Sequence, residues 1–271
     1  MQIESIESRQ NQKIKNLIKL QKRQERLEQG LFIIEGIKEL EKAIAGGYQI
    51  DSIFFCSAII SKNNFEEIKS KISSSKFYEV NKDIFSKIAY RESTGGIIAT
   101  AKPKNHELNK FSLAKNPLLL VLEGIEKPGN IGAIYRTADA AGIDAIILCD
   151  AKADIYNPNA IRASIGTVFN VPTIISSSVE AISWLNANEI SIFSTYLQAA
   201  LPYQNANFKG PMAIVMGTEA TGISRQWIDS ATSKIIIPMA GKADSLNVST
   251  ATAIVLFEAR RQRDFIKSIG N

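Results

Sequence analysis

The sequence predicts an α/β protein with two domains, a smaller N-terminal α/β domain and a larger C-terminal α/β domain whose sheet is mostly parallel. Short apolar runs alternate with helix-length amphipathic segments along the 271 residues. From residue 117 onward these runs become unbroken Val, Ile and Leu stretches, which are typical of strands buried on both faces of a parallel sheet. A polar, lysine-rich stretch separates the two patterns and predicts a linker between domains.

The N-terminal domain is predicted to span residues 1–105, and the linker 106–116. Helices are assigned where apolar residues recur with the helical period, and strands where short β-branched or aromatic runs are bounded by glycine or polar residues. In chain order the predicted elements are a helix (11–29), a strand (31–36), a helix (37–46), a strand (51–56), a helix (64–72), a strand (77–80), a helix (82–90) and a strand (95–101).

The C-terminal domain is predicted to span residues 117–271. Its predicted strands are 117–124, 144–150, 171–175, 190–197, 211–217 and 233–240. Its predicted helices lie between and after them, at 130–141, 158–165, 179–187, 222–231 and 248–267. Apolar or small residues surround most of the last helix, so we expect it to be largely buried.

The chain carries a net charge of +5, and the excess lies in residues 1–110, which hold 19 Lys/Arg and 14 Asp/Glu. Five bases would share one face of the first predicted helix: Lys15, Lys19, Lys22, Arg23 and Arg26. A basic stripe of this kind attracts a phosphate backbone and predicts RNA binding. The alternative is a solvated face that only keeps the protein in solution, and charge alone does not decide between the two.

Several classes of protein are disfavoured by the sequence. No apolar run is long enough to cross a bilayer, and the charged N-terminus lacks the apolar core of a secretory signal, so we expect a cytoplasmic protein. Two cysteines, Cys56 and Cys149, and a single histidine, His106, argue against a disulfide scaffold and a metal site. The sequence contains no G-x-G turn of a dinucleotide fold, and the loop 217–222 lacks the lysine of a P-loop.

Three segments of the C-terminal domain are candidates for the site. The first, 130–142, reads NIGAIYRTADAAG and opens a helix after the first predicted strand. The second, 216–224, reads MGTEATGIS and follows a buried strand, and the third, 237–249, reads IPMAGKADSLNVS and leads into the last helix. Loops at the carboxyl ends of strands hold the ligand in an α/β sheet, so we expect these segments to meet.

Together and in this order, the three segments resemble the motifs of the SpoU (TrmH) family of RNA ribose 2′-O-methyltransferases, within the SPOUT superfamily. The stretch 157–166 (NPNAIRASIG) is similar to the family's segment between its first two motifs, and residues 11–36 are similar to the small RNA-binding domain of many members. The resemblance implies a C-terminal SPOUT domain with a trefoil knot, a homodimer whose interface lies beside the cofactor pocket, and S-adenosylmethionine as cofactor.

The resemblance also implies which residues bind the cofactor. Backbone groups and apolar walls from the second and third motifs would hold the adenosyl moiety, because adenine needs amide partners and apolar surface more than charge. Carried over to this sequence, the cofactor-binding positions are Thr195, Leu197, Gly217, Ile237, Met239, Ser245, Leu246 and Asn247. Taken alone, Ile237 and Leu246 would be interpreted as core residues.

Arg136 is the predicted catalytic residue, because small residues flank it one helical turn away on each side and leave room for a substrate. Proposals for the family make it a general base, but arginine is essentially never deprotonated in proteins, so stabilisation of charge on the ribose oxygen is preferred. The alternative is a surface arginine paired with Asp139. Glu219, Asn130 and Asn247 complete the predicted catalytic set, although both asparagines also suit a helix cap.

The sequence therefore predicts an S-adenosylmethionine-dependent enzyme that methylates a ribose 2′-hydroxyl in 23S rRNA, with guanosine favoured. The basic N-terminal domain would bind RNA, and Arg162 would contact a phosphate. The alternatives are a tRNA 2′-O-methyltransferase and a non-catalytic RNA-binding protein of ribosome assembly. A non-catalytic protein is expected to lack Arg136, Glu219 or Asn247, and all three are present. Neither a metal nor a membrane is expected as a partner.

Overall fold

The computed structural model describes residues 3–72, 75–90, 94–150, 154–198 and 200–265. The chain divides into two compact units, of which the first comprises Met1–Lys104 and Asp154–Asn170, and the second comprises Asn105–Ala153 and Val171–Asn271. The segment 154–170 therefore groups with the first unit, although it lies inside the range predicted for the C-terminal domain. Every described helix is too short or too polar to traverse a lipid bilayer.

The secondary structure of the described residues alternates strands and helices along both units. The strands are β1 (Ile3–Ile6), β2 (Phe32–Glu35), β3 (Ile50–Phe55), β4 (Lys76–Val80), β5 (Ile97–Ala101), β6 (Leu118–Glu123), β7 (Ala145–Cys149), β8 (Thr173–Ser176), β9 (Ser191–Thr195), β10 (Leu201–Pro202), β11 (Met212–Met216) and β12 (Ser233–Ile236). The helices are α1 (Gln12–Lys19), α2 (Arg23–Gln29), α3 (Ile37–Ala45), α4 (Lys62–Lys71), α5 (Lys82–Ile88), α6 (Pro128–Ala141), α7 (Pro158–Ala163), α8 (Ser178–Ala187), α9 (Arg225–Asp229) and α10 (Val248–Gln262).

The first unit is built on a mixed sheet. Its described strands follow the order β1-β4-β3-β5-β2, in which β4 is parallel to β1 and β3, whereas β5 is antiparallel to β3 and β2. Apolar side chains of α1 and α5, among them Leu17 and Phe85, pack with strand residues such as Phe54 in one buried cluster. Strand β1 is missing from the sequence prediction because three of its four residues are exposed and only Ile6 is buried.

The prediction of one continuous helix over 11–29 is wrong. The chain forms α1 and α2, separated by three residues, with Lys22 in an extended conformation (φ −89°, ψ 138°). Helix α1 buries apolar residues, whereas the residue that α2 buries is Arg26. Nη1 of Arg26 donates hydrogen bonds of 2.8 Å to the carbonyl oxygens of Leu20 and Gln21. Arg26 therefore satisfies carbonyl groups that the end of α1 leaves without a helical partner.

The segment 154–170 packs into the first unit through an aromatic cluster. The ring of Tyr156 stacks on Phe32 at a centroid distance of 4.3 Å, and Phe169 stacks on the same ring at 5.8 Å. Tyr48 meets Phe169 edge-on at 5.0 Å. Asp154, at the start of the segment, bonds to Arg26. These contacts make the segment part of the core of the first unit.

The second unit contains a sheet with the order β10-β12-β9-β11-β6-β7-β8, and every pairing between its described strands is parallel. Strands β6, β7 and β11 are buried along their whole length. This confirms the parallel sheet expected from the unbroken apolar runs. Strand β12 ends at Ile236, two residues before Pro238, so the predicted strand 233–240 is too long; proline cannot donate the next ladder hydrogen bond.

The stretch predicted as a linker is packed onto the second unit. The Ile175 amide donates to the His106 carbonyl oxygen at 2.8 Å, next to strand β8. Beyond it, Leu108, Phe111 and Leu113 pack against the buried cluster of the unit. Three apolar side chains within six residues give this otherwise polar stretch enough buried surface to stay in place.

Candidate active site

The three predicted motifs begin at the same edge of the parallel sheet. After β6 the chain turns at Gly124, which has a φ of +65°, and enters α6 with Asn130 and Arg136. After β11 comes the loop 217–223 with Glu219, and after β12 comes the loop 237–247 that leads into α10. Since parallel strands end at one edge, the three loops lie at the position where α/β sheets bind ligands.

The loop after β11 is held in a closed shape by its own backbone. Thr218 and Gly222 exchange two hydrogen bonds of 3.0 Å between their main chains. A Cβ atom on Gly217 would lie 2.2 Å from the carbonyl carbon of Gly222 and 2.5 Å from the nitrogen of Ile223. Glycine is therefore required at position 217 by the close approach of two backbone segments.

Glu219 joins residues from all three loops. Its Oε1 accepts hydrogen bonds from Asn130 Nδ2 at 3.1 Å and from Asn247 Nδ2 at 2.5 Å, and its Oε2 accepts one from Lys127 Nζ at 2.9 Å. Asn247 Nδ2 also donates to Asn130 Oδ1 at 3.2 Å. The hydrogen bonds from Lys127 and Asn130 lower the pKa of Glu219, and the carboxylate raises the pKa of Lys127. Three of the four predicted catalytic residues thus contact one another.

The alternative role of the asparagines as helix caps applies to one of them. Asn247 is the N-cap of α10, where its Oδ1 accepts hydrogen bonds from the Ser249 amide at 3.0 Å and the Ser249 hydroxyl at 2.6 Å. Its Nδ2 remains available for Glu219, so one side chain both caps the helix and joins the cluster. Asn130 is no cap, because α6 begins after Lys127 and Asn130 lies in its first turn.

Arg136 lies outside this cluster. It is exposed on α6, six residues beyond Asn130 and about 9 Å further along the helix axis. Its side chain forms no hydrogen bond or ion pair with any residue that the structure describes, so the alternative pairing with Asp139 is not observed. The guanidinium is therefore presented to solvent from a helix whose opposite face is buried.

A cavity of about 340 Å³ lies at the same edge, and Glu219 is part of its wall. Seven of the eight predicted cofactor positions line it: Thr195, Leu197, Gly217, Ile237, Met239, Ser245 and Leu246. Asn247, the eighth, is absent from the described lining and bonds to Glu219 instead. The sequence interpretation missed several lining residues that flank the predicted ones in the same loops, among them Tyr196, Thr221 and Asp244.

The residues around the cavity fit S-adenosylmethionine. The volume falls within the range of small-molecule sites. Ile237, Met239 and Leu246 offer apolar surface for an adenine ring. The carboxylates of Glu219 and Asp244 suit the positive charges of a sulfonium and an amino group, and the cavity wall contains no Lys or Arg among its described residues.

Most of the predicted RNA-binding bases are exposed on the first unit, and one is not. The side chains of Lys15, Lys19, Lys22 and Arg23 face solvent, but the break between α1 and α2 prevents them from sharing a single helical face. The prediction for Arg26 is wrong, because this residue is only 4% exposed and its guanidinium is bonded to Asp154 and to two carbonyl groups. The donors of a buried arginine are normally satisfied by groups of the protein, and a guanidinium whose donors are used in this way is not available to bind RNA.

Arg162, the predicted phosphate contact, also belongs to the first unit. It lies on α7 with an exposed side chain, and its guanidinium carbon is 5.4 Å from the ring centroid of Tyr90. Tyr90 is itself 53% exposed. The pair therefore presents a guanidinium and an aromatic ring together at the surface.

The described residues include no group of three or more His, Cys, Asp and Glu side chains suited to a metal ion. A sheet whose described strands are all parallel, with a cavity at its carboxyl edge and no G-x-G turn in the sequence, is typical of an α/β protein that binds a small molecule outside the dinucleotide-fold class. The sequence matches the SpoU rRNA Methylase family over residues 117–257 and the MRM3-like substrate binding domain over residues 11–99. The chain therefore belongs to the SpoU rRNA methylase family.

Relatives of known name are similar over almost the whole chain. The 23S rRNA (guanosine(2553)-2'-O)-methyltransferase RlmP of Bacillus subtilis is 29% identical over 95% of this chain and 100% of its own length. The AdoMet-bound rRNA methyltransferase from Sinorhizobium meliloti has a TM-score of 0.88 at 29% identity, with 96% of this chain and 98% of that chain covered. A crystal structure of an RNA 2'-O ribose methyltransferase has a TM-score of 0.82 at 34% identity, with 96% and 99% covered. These likenesses confirm the predicted family and its α/β fold.

Proposed function

We propose that this protein transfers a methyl group from S-adenosylmethionine to a ribose 2′-hydroxyl of 23S rRNA, with guanosine as the favoured nucleotide. The observation that carries the proposal is the contact of Asn130 on α6 and Asn247 at the start of α10 with Glu219, whose loop lines a cavity that fits the cofactor. Two relatives similar over nearly the whole chain, RlmP of Bacillus subtilis and the Sinorhizobium meliloti enzyme, have rRNA alone in their names, which favours rRNA over tRNA. A non-catalytic assembly protein would have no need to keep this polar cluster.

The bound cofactor supplies an electrophilic methyl group on a positively charged sulfur. Backbone groups at Gly217, Ile237 and Leu246 would hold the adenosyl moiety, with the apolar cavity wall around the ring. Glu219 has a lowered pKa, so it is ionised at neutral pH and is a weak proton acceptor. We therefore assign to it the orientation of Asn130, Asn247 and Lys127 rather than proton removal.

Arg136 is the proposed catalytic residue. A ribose 2′-hydroxyl that gives up its proton to solvent would develop negative charge on its oxygen, and a guanidinium nearby would stabilise that charge or hold the adjacent phosphate. The exposed position of Arg136 on α6 leaves its donors available to an RNA substrate. We assign it the role of a hydrogen-bond donor, since the guanidinium has five N–H donors and no acceptor.

The first unit is the proposed RNA-binding part, made of residues 1–105 together with the segment 154–170. Exposed Lys15, Lys19, Lys22 and Arg23 would contact phosphates. Arg162 would contribute a further phosphate contact, and the neighbouring ring of Tyr90 offers a surface on which an unpaired base can stack. The methyltransferase part would be residues 117–271 without that segment, preceded by the packed stretch 106–116.

We further propose that the second unit contains a trefoil knot and that two copies of the chain form a homodimer, as the family resemblance implies. Helix α6, which carries the first motif, packs against α10, the helix that follows the third motif. Helix α10 carries Phe257, an exposed aromatic side chain that a second copy can cover. Because rRNA is the proposed substrate, we propose a cytoplasmic location.

The proposal is tested by mapping 2′-O-methylated nucleotides in rRNA from a strain that lacks the protein. One ribose methylation is expected to disappear from 23S rRNA and to return with the wild-type gene. The Arg136→Ala gene is expected not to restore it. An unchanged methylation map in the deletion strain would contradict the proposal.

A further inference from the structure

Glu123, at the carboxyl end of β6, lies outside the cluster around Glu219 but contacts the element that ends the Glu219 loop. Its side chain is buried, with 8% of the residue exposed. Oε2 accepts the backbone N–H of Ser224 at 2.6 Å. Ser224 is the N-cap of α9 and directly follows the loop 217–223. One hydrogen bond thus fixes the end of this loop to a central strand of the sheet.

The turn after Glu123 also lies against the start of the same loop. Gly124 has a φ of +65°, and a Cβ atom placed on it would lie 3.3 Å from Cγ2 of Thr218. The two consecutive residues at the end of β6 are therefore close to both ends of the loop. Glu123 is bonded to Ser224 after its last residue, and Gly124 leaves room for Thr218 near its start.

Helix α9 has an anchor of its own that does not require Glu123. The fully buried Trp227 donates its indole N–H to Ser178 Oγ at 3.0 Å, and its carbonyl oxygen accepts from Ser194 Oγ at 3.0 Å. The Ser178 hydroxyl oxygen lies 2.5 Å from Asp150 Oδ2 and 3.2 Å from Glu123 Oε1. Because a hydroxyl has a single proton, it can donate a full hydrogen bond to only one of these two carboxylates. The shorter contact is to Asp150, so the principal partner of Glu123 is Ser224.

We propose that Glu123 is a positioning residue for methyl transfer. By accepting the Ser224 N–H, it holds the loop that forms part of the cavity wall and that carries Glu219 into contact with Asn130 and Asn247. The inference rests on the proposed function of this site. Because Trp227 anchors α9 independently, loss of the Glu123 carboxylate is expected to loosen the loop while the unit stays folded.

The experiment compares Glu123→Ala and Glu123→Gln with a matched control at the other end of the same strand. Asp144 Oδ2 accepts the backbone N–H of Leu118 at 2.7 Å, where β6 begins, so Asp144→Ala removes a bond of the same kind, with the other interactions of Asp144, at the end of β6 opposite the loop. Each full-length variant is measured for its dissociation constant for S-adenosylmethionine by calorimetry, for kcat at saturating cofactor and for its melting temperature.

Glu123→Ala is expected to weaken cofactor binding about tenfold and to lower kcat by about tenfold or more. Glu123→Gln is expected to stay within about threefold of the wild type, since the amide oxygen still accepts the Ser224 N–H. Asp144→Ala is expected to melt earlier but to keep both constants. Equal dissociation constants and kcat for Glu123→Ala and Asp144→Ala would overturn the proposal.

A second variant decides the matter if Glu123→Ala does not fold. Ser224 has a φ of −71°, which proline can adopt, so Ser224→Pro removes the N–H that Glu123 accepts, together with a buried hydroxyl that has no hydrogen-bond partner among the described residues. This variant is expected to lose cofactor affinity by about tenfold, and wild-type affinity would overturn the proposal. Failure of the proposed function gives a different result, because the wild-type protein itself would then show no binding of S-adenosylmethionine.

Discussion

Arg26 and Asp154 are 128 positions apart in the sequence and form an ion pair in the first unit, with Nη2 of Arg26 2.6 Å from Oδ2 of Asp154. The arginine is buried, and its remaining donors hold carbonyl groups of the preceding helix end. The pair therefore fastens the segment 154–170 to the helices at the start of the chain. This relationship assigns to Arg26 a role in stability rather than in RNA binding.

Removal of one member of this pair is expected to destabilise the protein strongly. Arg26→Met removes the cation that pairs with Asp154 Oδ2 and the donor to two carbonyl groups, which costs about 3 kcal/mol or more in the free energy of unfolding. Urea denaturation measures this quantity. The control is Lys13→Met, which breaks the exposed Lys13–Glu4 pair and is expected to change stability little. Similar losses for the two variants would show that the buried pair has no special role.

The salt dependence of RNA binding should identify which bases contact phosphates. Replacement of Lys15, Lys19, Lys22 and Arg23 by alanine is expected to lower the slope of log K against log salt by about 0.7–0.9 for each phosphate that the variant no longer neutralises. Filter binding at several salt concentrations measures the slope. Arg225→Ala, at an exposed i,i+4 pair of the second unit, serves as the control. A slope that stays at the wild-type value would rule out the exposed bases of α1 and α2 as the RNA-binding surface.

Arg136→Ala is expected to separate catalysis from cofactor binding. Loss of a group that stabilises transition-state charge lowers kcat by about a hundredfold or more. The dissociation constant for S-adenosylmethionine should stay near the wild-type value, because Arg136 is not part of the described cavity wall. Arg261→Ala, at an exposed pair on α10, is the matched control and should leave both constants unchanged. Wild-type turnover by Arg136→Ala would remove this residue from the catalytic assignment.

Gly217→Ala tests whether the closed loop forms the cofactor site. The added methyl group would lie 2.2 Å from the backbone of Gly222, so the loop must open and the cavity must change shape. Cofactor affinity is expected to fall by at least about tenfold, as measured by calorimetry. Gly210→Ala is the control, since a Cβ atom there meets nothing within 4 Å. If both variants bind the cofactor equally well, the loop does not shape the site.

The Glu219 cluster predicts a specific pH dependence. The pKa of Glu219 is lowered by the hydrogen bonds from Lys127 and Asn130, so the ionised form is favoured by the folded state. Its contribution to stability is therefore present above the ordinary pKa of glutamate, about 4.3, and is lost as the pH falls through the lowered folded value. The stability difference between wild type and Glu219→Gln, followed by urea denaturation, should shrink as the solution is acidified through that range. A difference that is constant with pH would contradict the cluster.

The hydrogen bond from Lys127 is the largest cause of the lowered pKa of Glu219, so removal of the Lys127 ammonium group should raise that pKa. In Lys127→Met, the pKa of Glu219, followed by carboxyl NMR, is expected to rise toward its ordinary value. No pattern in the sequence pointed to Lys127, because a lone lysine before a helix resembles any surface charge. Its role follows from the distance to Oε2 of Glu219, which only the folded chain provides.

Patterns within short stretches predicted much of the fold. Continuous apolar runs in the C-terminal half correspond to parallel strands such as β6 and β11, since a strand buried on both faces needs no polar residues. The motif residues Asn130, Glu219 and Asn247 were predicted from a family resemblance, and their mutual hydrogen bonds are a property of the structure.

The features that the sequence did not predict depend on contacts between distant parts of the chain. The break between α1 and α2 is accompanied by bonds from Arg26 to Asp154 and to the carbonyl groups of Leu20 and Gln21, which follow α1. Without knowledge of these bonds, a basic residue at a helical period is predicted to be exposed. The placement of the segment 154–170 follows from ring contacts of Tyr156 and Phe169 with Phe32. For the same reason, removal of residues 1–104 would expose this aromatic cluster, and point variants are the better test of RNA binding.

Methylation of a ribose oxygen of 23S rRNA at this site can be measured in a purified system. The wild-type protein is incubated with 23S rRNA from the deletion strain and with S-adenosylmethionine labelled in its methyl group. After digestion of the RNA to nucleosides, mass spectrometry is expected to find the label in 2′-O-methylguanosine. Label on a nucleobase, or no label in the RNA, would contradict the account.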